Sequence, residues 1–230
     1  MKIGSAEWNR LIAEGAERLG IDLDTAAIDQ FALHAGELAK WTRITNLTSI
    51  TDPREVAVKH FLDSIVPFPL IPPGARMLDI GSGGGFPGIP LKILIPSLSV
   101  TLIDAVRKKV SFMNHVIGLL HLTGIKARHL RVEEFKQEPR FDVVVSRALF
   151  SLAELVSLAV PVLKDGGLIV GFKGRPAGAE KEYERWRSDR NRPGAEGSDA
   201  RLAVDIRPYT LPFAGAQRTL FIIRRSGTGR

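Results

Sequence analysis

The spacing of apolar positions changes near residue 70. Before that point they recur with a helical period: Trp8, Leu11, Ile12, Ala16 and Leu19 share one face, and Gly20 follows as a stop. Residues 24–44 repeat the pattern through Ile28, Phe31, Leu38 and Trp41. A third helix is predicted to start at Asp52-Pro53, a cap residue followed by proline in the first turn, and to run to about residue 68. The stretch LIPPG at 70–74 breaks it. Beyond the break, short apolar runs alternate with amphipathic ones. Strands are predicted over 75–81, 99–105, 125–130, 141–148 and 166–174, with helices over 88–95, 107–122 and 151–163. Such alternation implies right-handed crossovers and a mostly parallel sheet with helices on both faces. The end differs: a charged helix over 179–190, a loop over 191–199, then strands over 201–211 and 218–226. The six residues joining those two strands are too few for a parallel crossover, so an antiparallel hairpin should close the sheet. The expected fold is α/β and Rossmann-like, over about residues 71–230, behind an N-terminal helical extension of residues 1–70.

Composition removes several chemistries. The 230 residues include no cysteine, which excludes disulfides, thiolate metal sites and a cysteine nucleophile. The five histidines form no HExxH pair, so a zinc hydrolase has no support and no metal is expected. The first residues lack a signal peptide's apolar core, and no apolar run reaches the length of a membrane span. A soluble, cytoplasmic enzyme acting as a monomer is the expectation. Net charge is +7 and unevenly placed. Residues 1–172 carry 19 Lys/Arg against 18 Asp/Glu, whereas residues 173–230 carry 13 against 7. That asymmetry suits a polyanion near the C-terminal part.

The densest chemistry lies in LDIGSGGGFPGIPL, residues 78–91, directly behind the first predicted strand. Counted from Gly81, a dinucleotide GxGxxG fails because its third glycine position holds Phe86; counted from Gly83 it fits formally, but away from the strand end. No Lys-Ser or Lys-Thr follows, so a P-loop fails. An acidic residue followed by GxGxG, as Asp79, Gly81, Gly83 and Gly85, fits without adjustment. This arrangement resembles the first motif of class I S-adenosylmethionine-dependent methyltransferases. Glycines permit a sharp turn and a ligand lying against bare backbone, and the following helix offers amides to a carboxylate. Asp104, ending the second strand, is placed to take both ribose hydroxyls of the cofactor. A nicotinamide enzyme is the rival reading.

The segment after the fourth strand, Ser146-Arg147-Ala148, should border the methyl acceptor. It lacks the Asn/Asp-Pro-Pro-aromatic tetrapeptide of enzymes that methylate exocyclic amines, and without cysteine a pyrimidine adduct is excluded. Acceptors that are already nucleophilic remain, guanine N7 among them. Alignment and electrostatics can then carry catalysis. This elimination leaves RNA and small-molecule acceptors both open, and a basic RNA-binding factor without catalysis as a further alternative.

Over about residues 35–225 the chain is similar to the ribosomal RNA small subunit methyltransferase G family, also called glucose-inhibited division protein B. The likeness rests on WTRITNLTSITDPREVAVKHFLDS, LDIGSGGGFPGIPLKI, RVEEF, SRA, FKG and RTLFIIRR. Thr42 stands after Trp41 where the family usually has asparagine, while Asn46-Leu47-Thr48 is intact. The resemblance implies S-adenosylmethionine-dependent N7-methylation of one guanosine in the decoding-region loop of bacterial 16S rRNA, with the small ribosomal subunit as partner. It implies cofactor contacts at Gly81, Phe86, Val132, Glu133 and Arg147, to which Gly83, Gly85 and Asp104 are added by analogy with class I enzymes. Arg147 and Lys173 are expected to position substrate, with no general base assigned, and Asn46, His60, Arg131 and Lys173 to bind it.

Other residues have plainer expectations. Asp79 is read as a structural acid that organises the glycine turn. His60, Asp63 and Ser64 lie within one helical turn, too local for a triad, and are read as a hydrogen-bonded helix face beside the cofactor pocket. Trp8, Trp41 and Trp186 are read as packing residues. Arg224 and Arg225, ending the last strand, are candidates for phosphate contacts.

Overall fold

The computed structural model describes residues 1–134, 141–148, 150–190 and 202–226. The loop expected over 191–199 and Phe135 of RVEEF lie outside the described residues. Among these residues a seven-stranded sheet has the order β3-β2-β1-β4-β5-β7-β6. Its strands are β1 (Arg76–Ile80), β2 (Ser99–Asp104), β3 (Ile125–His129), β4 (Phe141–Ser146), β5 (Leu163–Lys173), β6 (Leu202–Thr210) and β7 (Gln217–Arg225). The first five run parallel, and β7 pairs antiparallel with both β5 and β6. The chain moves outward from β1 to β3 and then returns to β4 on the other side of β1. Ligands in open parallel sheets sit at such a reversal, beyond the carboxyl ends of the strands.

Helices cover both faces. On one lie α1 (Ala6–Arg18), α2 (Thr25–Thr45), α5 (Gly88–Leu94) and α6 (Arg107–Leu119), sharing a core with Met77, Val143, Val145, Val170 and Ile222. On the other, α7 (Leu152–Ala159) and α8 (Pro176–Arg190) pack on Leu78, Val144, Ile169 and Ile223. Within each strand successive residues go to opposite cores, as Met77 and Leu78, Val143 and Val144, Ile169 and Val170, and Ile222 and Ile223 do, which is what a sheet buried on both faces requires. Caps fix the entries: Ser5, Asp24 and Asp52 each accept an amide hydrogen bond three residues on. Trp8 and Trp186 are buried, while Trp41 is half-buried and packs on Phe112.

Two elements depart from the sequence expectation. The helix predicted over 151–163 stops at Ala159 and continues as a 3-10 turn at Val160–Val162, and β5 begins at Leu163. Pro161 cannot donate the hydrogen bond that would extend an α-helix there. The third helix is not regular either. α3 (Pro53–Val56) passes through a π-helical stretch, Ala57–Leu62, into α4 (Asp63–Ile65). Hydrophobic spacing does not reveal such an insertion, which is often found at functional sites.

Candidate active site

The glycine turn is held from beneath by one buried acid. Asp79 is fully buried, and its Oδ2 accepts the Gly88 amide at 2.8 Å across the turn. Burial pushes its carboxyl up to about 8, against the Gly88 hydrogen bond and Arg147, which favour the anion. Gly81, Gly83 and Gly85 all have positive φ, so the turn needs glycine for its path. A Cβ on Gly81 would lie 2.9 Å from that of Ala148, and one on Gly88 2.2 Å from Leu102 Cδ2. Asp79 is thus placed as an organiser of the turn, as its sequence context suggested.

Behind the turn stands a stack of three rings. Phe86 is buried with His34 at 4.7 Å on one side and His60 at 4.8 Å on the other, both nearly parallel to it. His34 Nε2 lies 2.8 Å from the Gly84 carbonyl oxygen, which only a donor N–H can satisfy. Burial holds His34 down to about 4, so it is neutral at pH 7. The Phe86 ring therefore supports the turn from behind and does not line the cavity above it. His34 was not singled out in the sequence, where a lone histidine on an apolar helix face carries no local signal.

Two cavities open beside the turn. The first, about 190 Å³, is lined by Ile80, Gly81, Ile103, Asp104, Leu130 to Glu133, Phe150 and Leu158. Its apolar walls and rim carboxylates, Asp104 and Glu133, suit a flat ring system bearing hydroxyl or amino donors. Asp104 accepts the Gly83 amide at 3.0 Å and the Val106 amide at 2.8 Å, which fixes its carboxylate at the rim with lone pairs left over. The donor set fits a nucleoside. Arg131, expected on the substrate side, lies here instead, because β3 delivers it to the same rim as Val132.

The second cavity, about 690 Å³, lies over the ends of β4 and β5 and shares Phe150 with the first. Five cations line it, Lys59, Arg147, Lys173, Arg185 and Arg218, against Asp63 and Glu182. The side chains of Arg185 and Arg218 have no hydrogen bond or ion pair among the described residues. The other charges are committed. Arg147 donates through Nη1 to the Lys59 carbonyl at 3.1 Å, the His60 carbonyl at 3.3 Å and Asp63 Oδ2 at 3.3 Å. Its Nη2 donates to His60 Nδ1 at 3.3 Å, and its guanidinium lies 5.2 Å from the Phe86 ring centroid. An acceptor Nδ1 leaves the proton on Nε2, which donates to Thr48 Oγ1 at 3.0 Å. Burial and then Arg147 hold His60 down to about 3. The carbonyls taken by Arg147 belong to the π-helical stretch. Tyr209 on β6 donates to Asp63 Oδ1 at 2.6 Å. Lys173 donates to the Phe150 carbonyl and, at 2.8 Å, to Glu182 of α8, which also accepts the Leu152 amide.

The structure thus brings His60, Arg147 and Lys173 together around one cavity. It sets Arg147 on that side rather than in the nucleoside-sized cavity. Asn46 ends α2 in a left-handed conformation and lines a separate cavity of about 320 Å³ with Thr42, Arg43 and Ile50. His60, Asp63 and Ser64 form the hydrogen-bonded helix face expected of them, Ser64 donating to the His60 carbonyl. Arg224 and Arg225 lie at the opposite pole: Arg225 is buried on the Val160 and Leu163 carbonyls and Asp165, and Arg224 borders a cavity with Pro72, Pro73 and Lys164. Neither reaches the site. Arg218, at the start of the same strand, does. Tyr209 and Arg218 were missed because the C-terminal hairpin brings them in from far along the chain, and Glu182 because its pairing with Lys173, nine residues away, depends on how α8 folds back over the end of β5. Among the described residues no group of three or more metal-ligating side chains is found, and no helix is long and apolar enough to cross a membrane.

A family model described as rRNA small subunit methyltransferase G matches residues 27–191. The chain is 43% identical over 218 residues to a ribosomal RNA small subunit methyltransferase G of Geobacter sp. (strain M21), covering 94% of this chain and 97% of that one. It is 35% identical over 225 residues to the protein of that name in Myxococcus xanthus, covering 96% and 99%. Among solved structures it is similar to a ribosomal protein L11 methylase from Lactobacillus delbrueckii subsp. bulgaricus, with TM-score 0.55, 16% identity and coverage of 73% of this chain and 79% of that one. It is also similar to P. horikoshii TYW2 in complex with MeSAdo, with TM-score 0.54, 14% identity and coverage of 73% and 63%. At such identities these structural likenesses speak for the fold.

Proposed function

The chain belongs to the rRNA small subunit methyltransferase G family, and from that premise we propose that it transfers the methyl group of S-adenosylmethionine to N7 of a guanosine in the 16S rRNA of the small ribosomal subunit. The nucleoside-sized cavity takes the cofactor, with the glycine turn against its backbone side and Asp104 on the ribose hydroxyls. Glu133, Arg131 and Val132 border the rest of it. The cofactor supplies an electrophilic methyl group on a sulfonium. The cationic cavity takes the nucleotide, and Phe150 lies between the two.

One observation carries the choice of acceptor. The bases that surround Arg147 in the cationic cavity are already engaged, His60 at both ring nitrogens and Asp63 at both oxygens by Tyr209 and Arg147, while Glu182 is ion-paired with Lys173 through Oε1. A site that had to remove a proton before attack would keep one of them free. Guanine N7 needs none, since its lone pair is already available. The residues then act by alignment and charge. Arg185 and Arg218 hold phosphate, Lys173 and Arg147 orient the nucleotide, and the held acids offset positive charge that develops on the base. Each chain contains both cavities, which supports action as a monomer, and a ribosomal substrate supports a cytoplasmic location.

The experiment combines tritium-labelled S-adenosylmethionine with small subunits from a strain lacking this enzyme, followed by digestion to nucleosides and mapping. Label in N7-methylguanosine at one loop position is the expected result. No transfer to subunits or to deproteinised RNA, at measurable cofactor binding, would overturn the reading.

A further inference from the structure

We propose that Tyr209 is a positioning residue for the methyl transfer, acting through Asp63 to hold the Arg147 guanidinium in the geometry the acceptor nucleotide needs. This rests on the reading of the cationic cavity as the acceptor site. Tyr209 lies on β6, at the edge of the sheet, and reaches Asp63 across 146 residues of sequence. Its phenol has one proton to donate, and gives it to Asp63 Oδ1 at 2.6 Å, the short range of a charge-assisted hydrogen bond. Asp63 is buried, and its other oxygen pairs with Arg147.

The arrangement decides which way Arg147 can turn. Unheld, a carboxylate on a helix rotates about χ2, and the pairing oxygen moves away from the guanidinium. With Oδ1 tied to Tyr209, Oδ2 has one place left, beneath Nη1. The remaining contacts of Arg147 are two backbone carbonyls, one imidazole nitrogen and the Phe86 face. None of these carries a negative charge, so Asp63 is the anion that anchors the plane of the guanidinium. A carboxylate with only one partner would be a weaker anchor, because its second oxygen would be buried without a hydrogen bond. The groups facing the phenol are Asp63, Arg147 and Arg218, the last being its cross-strand neighbour in the β6–β7 register. Burial and the Asp63 charge hold the phenol well above the ordinary tyrosine range, so it remains a donor. The outermost hairpin is thereby coupled to the acceptor side of the site, and Phe86 continues the contact to the glycine turn.

The test uses the full chain. Tyr209→Phe keeps the ring and removes the hydroxyl alone. Turnover on undermethylated small subunits should fall about tenfold, with the Kd for S-adenosylmethionine and the KM for subunits each within about threefold of wild type. In an Arg147→Lys background the same change should alter kcat less than about twofold, because the group being positioned is gone. Wild-type kcat in Tyr209→Phe, or an undiminished loss in the Arg147→Lys background, overturns the proposal. Asp63→Asn, which keeps an acceptor for the phenol and removes the charge, carries the same non-additivity test should Tyr209→Phe fail to fold. If the wild-type enzyme transfers no methyl to subunits, the rRNA reading fails, and the Tyr209–Asp63 link is decided by absorbance. The chain has two tyrosines, so in Tyr183→Phe the only phenol is Tyr209. It should remain protonated near pH 10, where an ordinary tyrosine is about half ionised. Half-ionisation there means that the phenol is not held by Asp63, and the proposal falls.

Discussion

Replacing Asp79 with asparagine should make the protein more stable near neutral pH, through a gain that grows as the pH rises. Asp79 is fully buried, and burial lifts its carboxyl from 3.8 to about 8. At pH 6 the group is therefore protonated in the folded chain and ionised in the unfolded one. A raised carboxyl pKa means that the native state holds one proton more between the two values. The stability it contributes is fully present below pH 3.8 and is lost as pH rises through the window to about 8. Each pH unit in that window changes the folding equilibrium up to tenfold, so about four units amount to on the order of 5 kcal/mol. Asparagine has nearly the shape of the protonated acid, and its Oδ1 still accepts the Gly88 amide, but it has no such pH dependence. Its extra N–H, placed where Asp79 has an oxygen without a partner, adds a pH-independent offset of about 1–3 kcal/mol. The measurement is urea unfolding of both proteins from pH 4.5 to 8, with m-values compared at each pH. The difference between them should shift steadily toward Asp79→Asn as the pH rises. His34 and His60 titrate in both proteins and cancel. Parallel profiles would refute the reasoning, because they would mean that Asp79 is ionised in the folded state and that the turn is organised around an anion.

Further outcomes can be checked with the same preparations. Gly88→Ala puts a Cβ 2.2 Å from Leu102 Cδ2 and 2.8 Å from Asp79 Oδ2; a loss of about 1–3 kcal/mol in urea unfolding is expected, with weaker cofactor binding by calorimetry. Arg218→Ala should weaken binding to small subunits and lower the salt slope of log Kd by about 1, whereas Arg224→Ala should leave both unchanged. For His34 the folded pKa is depressed to about 4 from 6.5, so its stability contribution is present above 6.5 and lost as pH falls toward 4. His34→Gln should flatten the acid limb of the stability profile between those values, as read by unfolding midpoints.

Much of the fold was legible because it is written in local periods. The helices before residue 70, the alternating strands and helices after it, and the proline and glycine breaks between them all follow from spacing within about fifteen residues. The cofactor turn was legible for a similar reason: Asp79, Gly81, Gly83 and Gly85 are neighbours in sequence, and their φ values leave few other residue types. What local reading could not supply is contact between distant elements. His34 meets Gly84 across 50 residues, Arg147 meets His60 across 87, and Tyr209 meets Asp63 across 146. The π-helical stretch is a further case, since an extra residue in one turn leaves the hydrophobic pattern nearly intact and changes only which carbonyls are free. Arg131 and Asn46 were assigned to the acceptor by the segments they belong to, yet one lies at the nucleoside-sized cavity and the other at a third cavity.

The two ends of the last strand show where the information was present and not used. The sequence predicts parallel strands up to residue 174 and an antiparallel hairpin after them. Ligands sit at the carboxyl ends of parallel strands. A strand that runs antiparallel to those strands must therefore bring its first residues to the ligand and its last residues to the opposite pole. In the sheet, Thr219 at the start of β7 is paired with Lys173 at the end of β5, and Arg224 near the end of β7 with Leu168. That register sets Arg218 beside Tyr209, over the cationic cavity, and Arg225 into the far end, where it caps the Val160 and Leu163 carbonyls. Counting arginines identifies the basic strand, but its direction decides which arginine is available to an anion. Among the described residues of 173–230, Lys173, Arg185 and Arg218 border the cationic cavity while Arg224 and Arg225 lie at the opposite pole, so the former add to the field over the site and the latter do not.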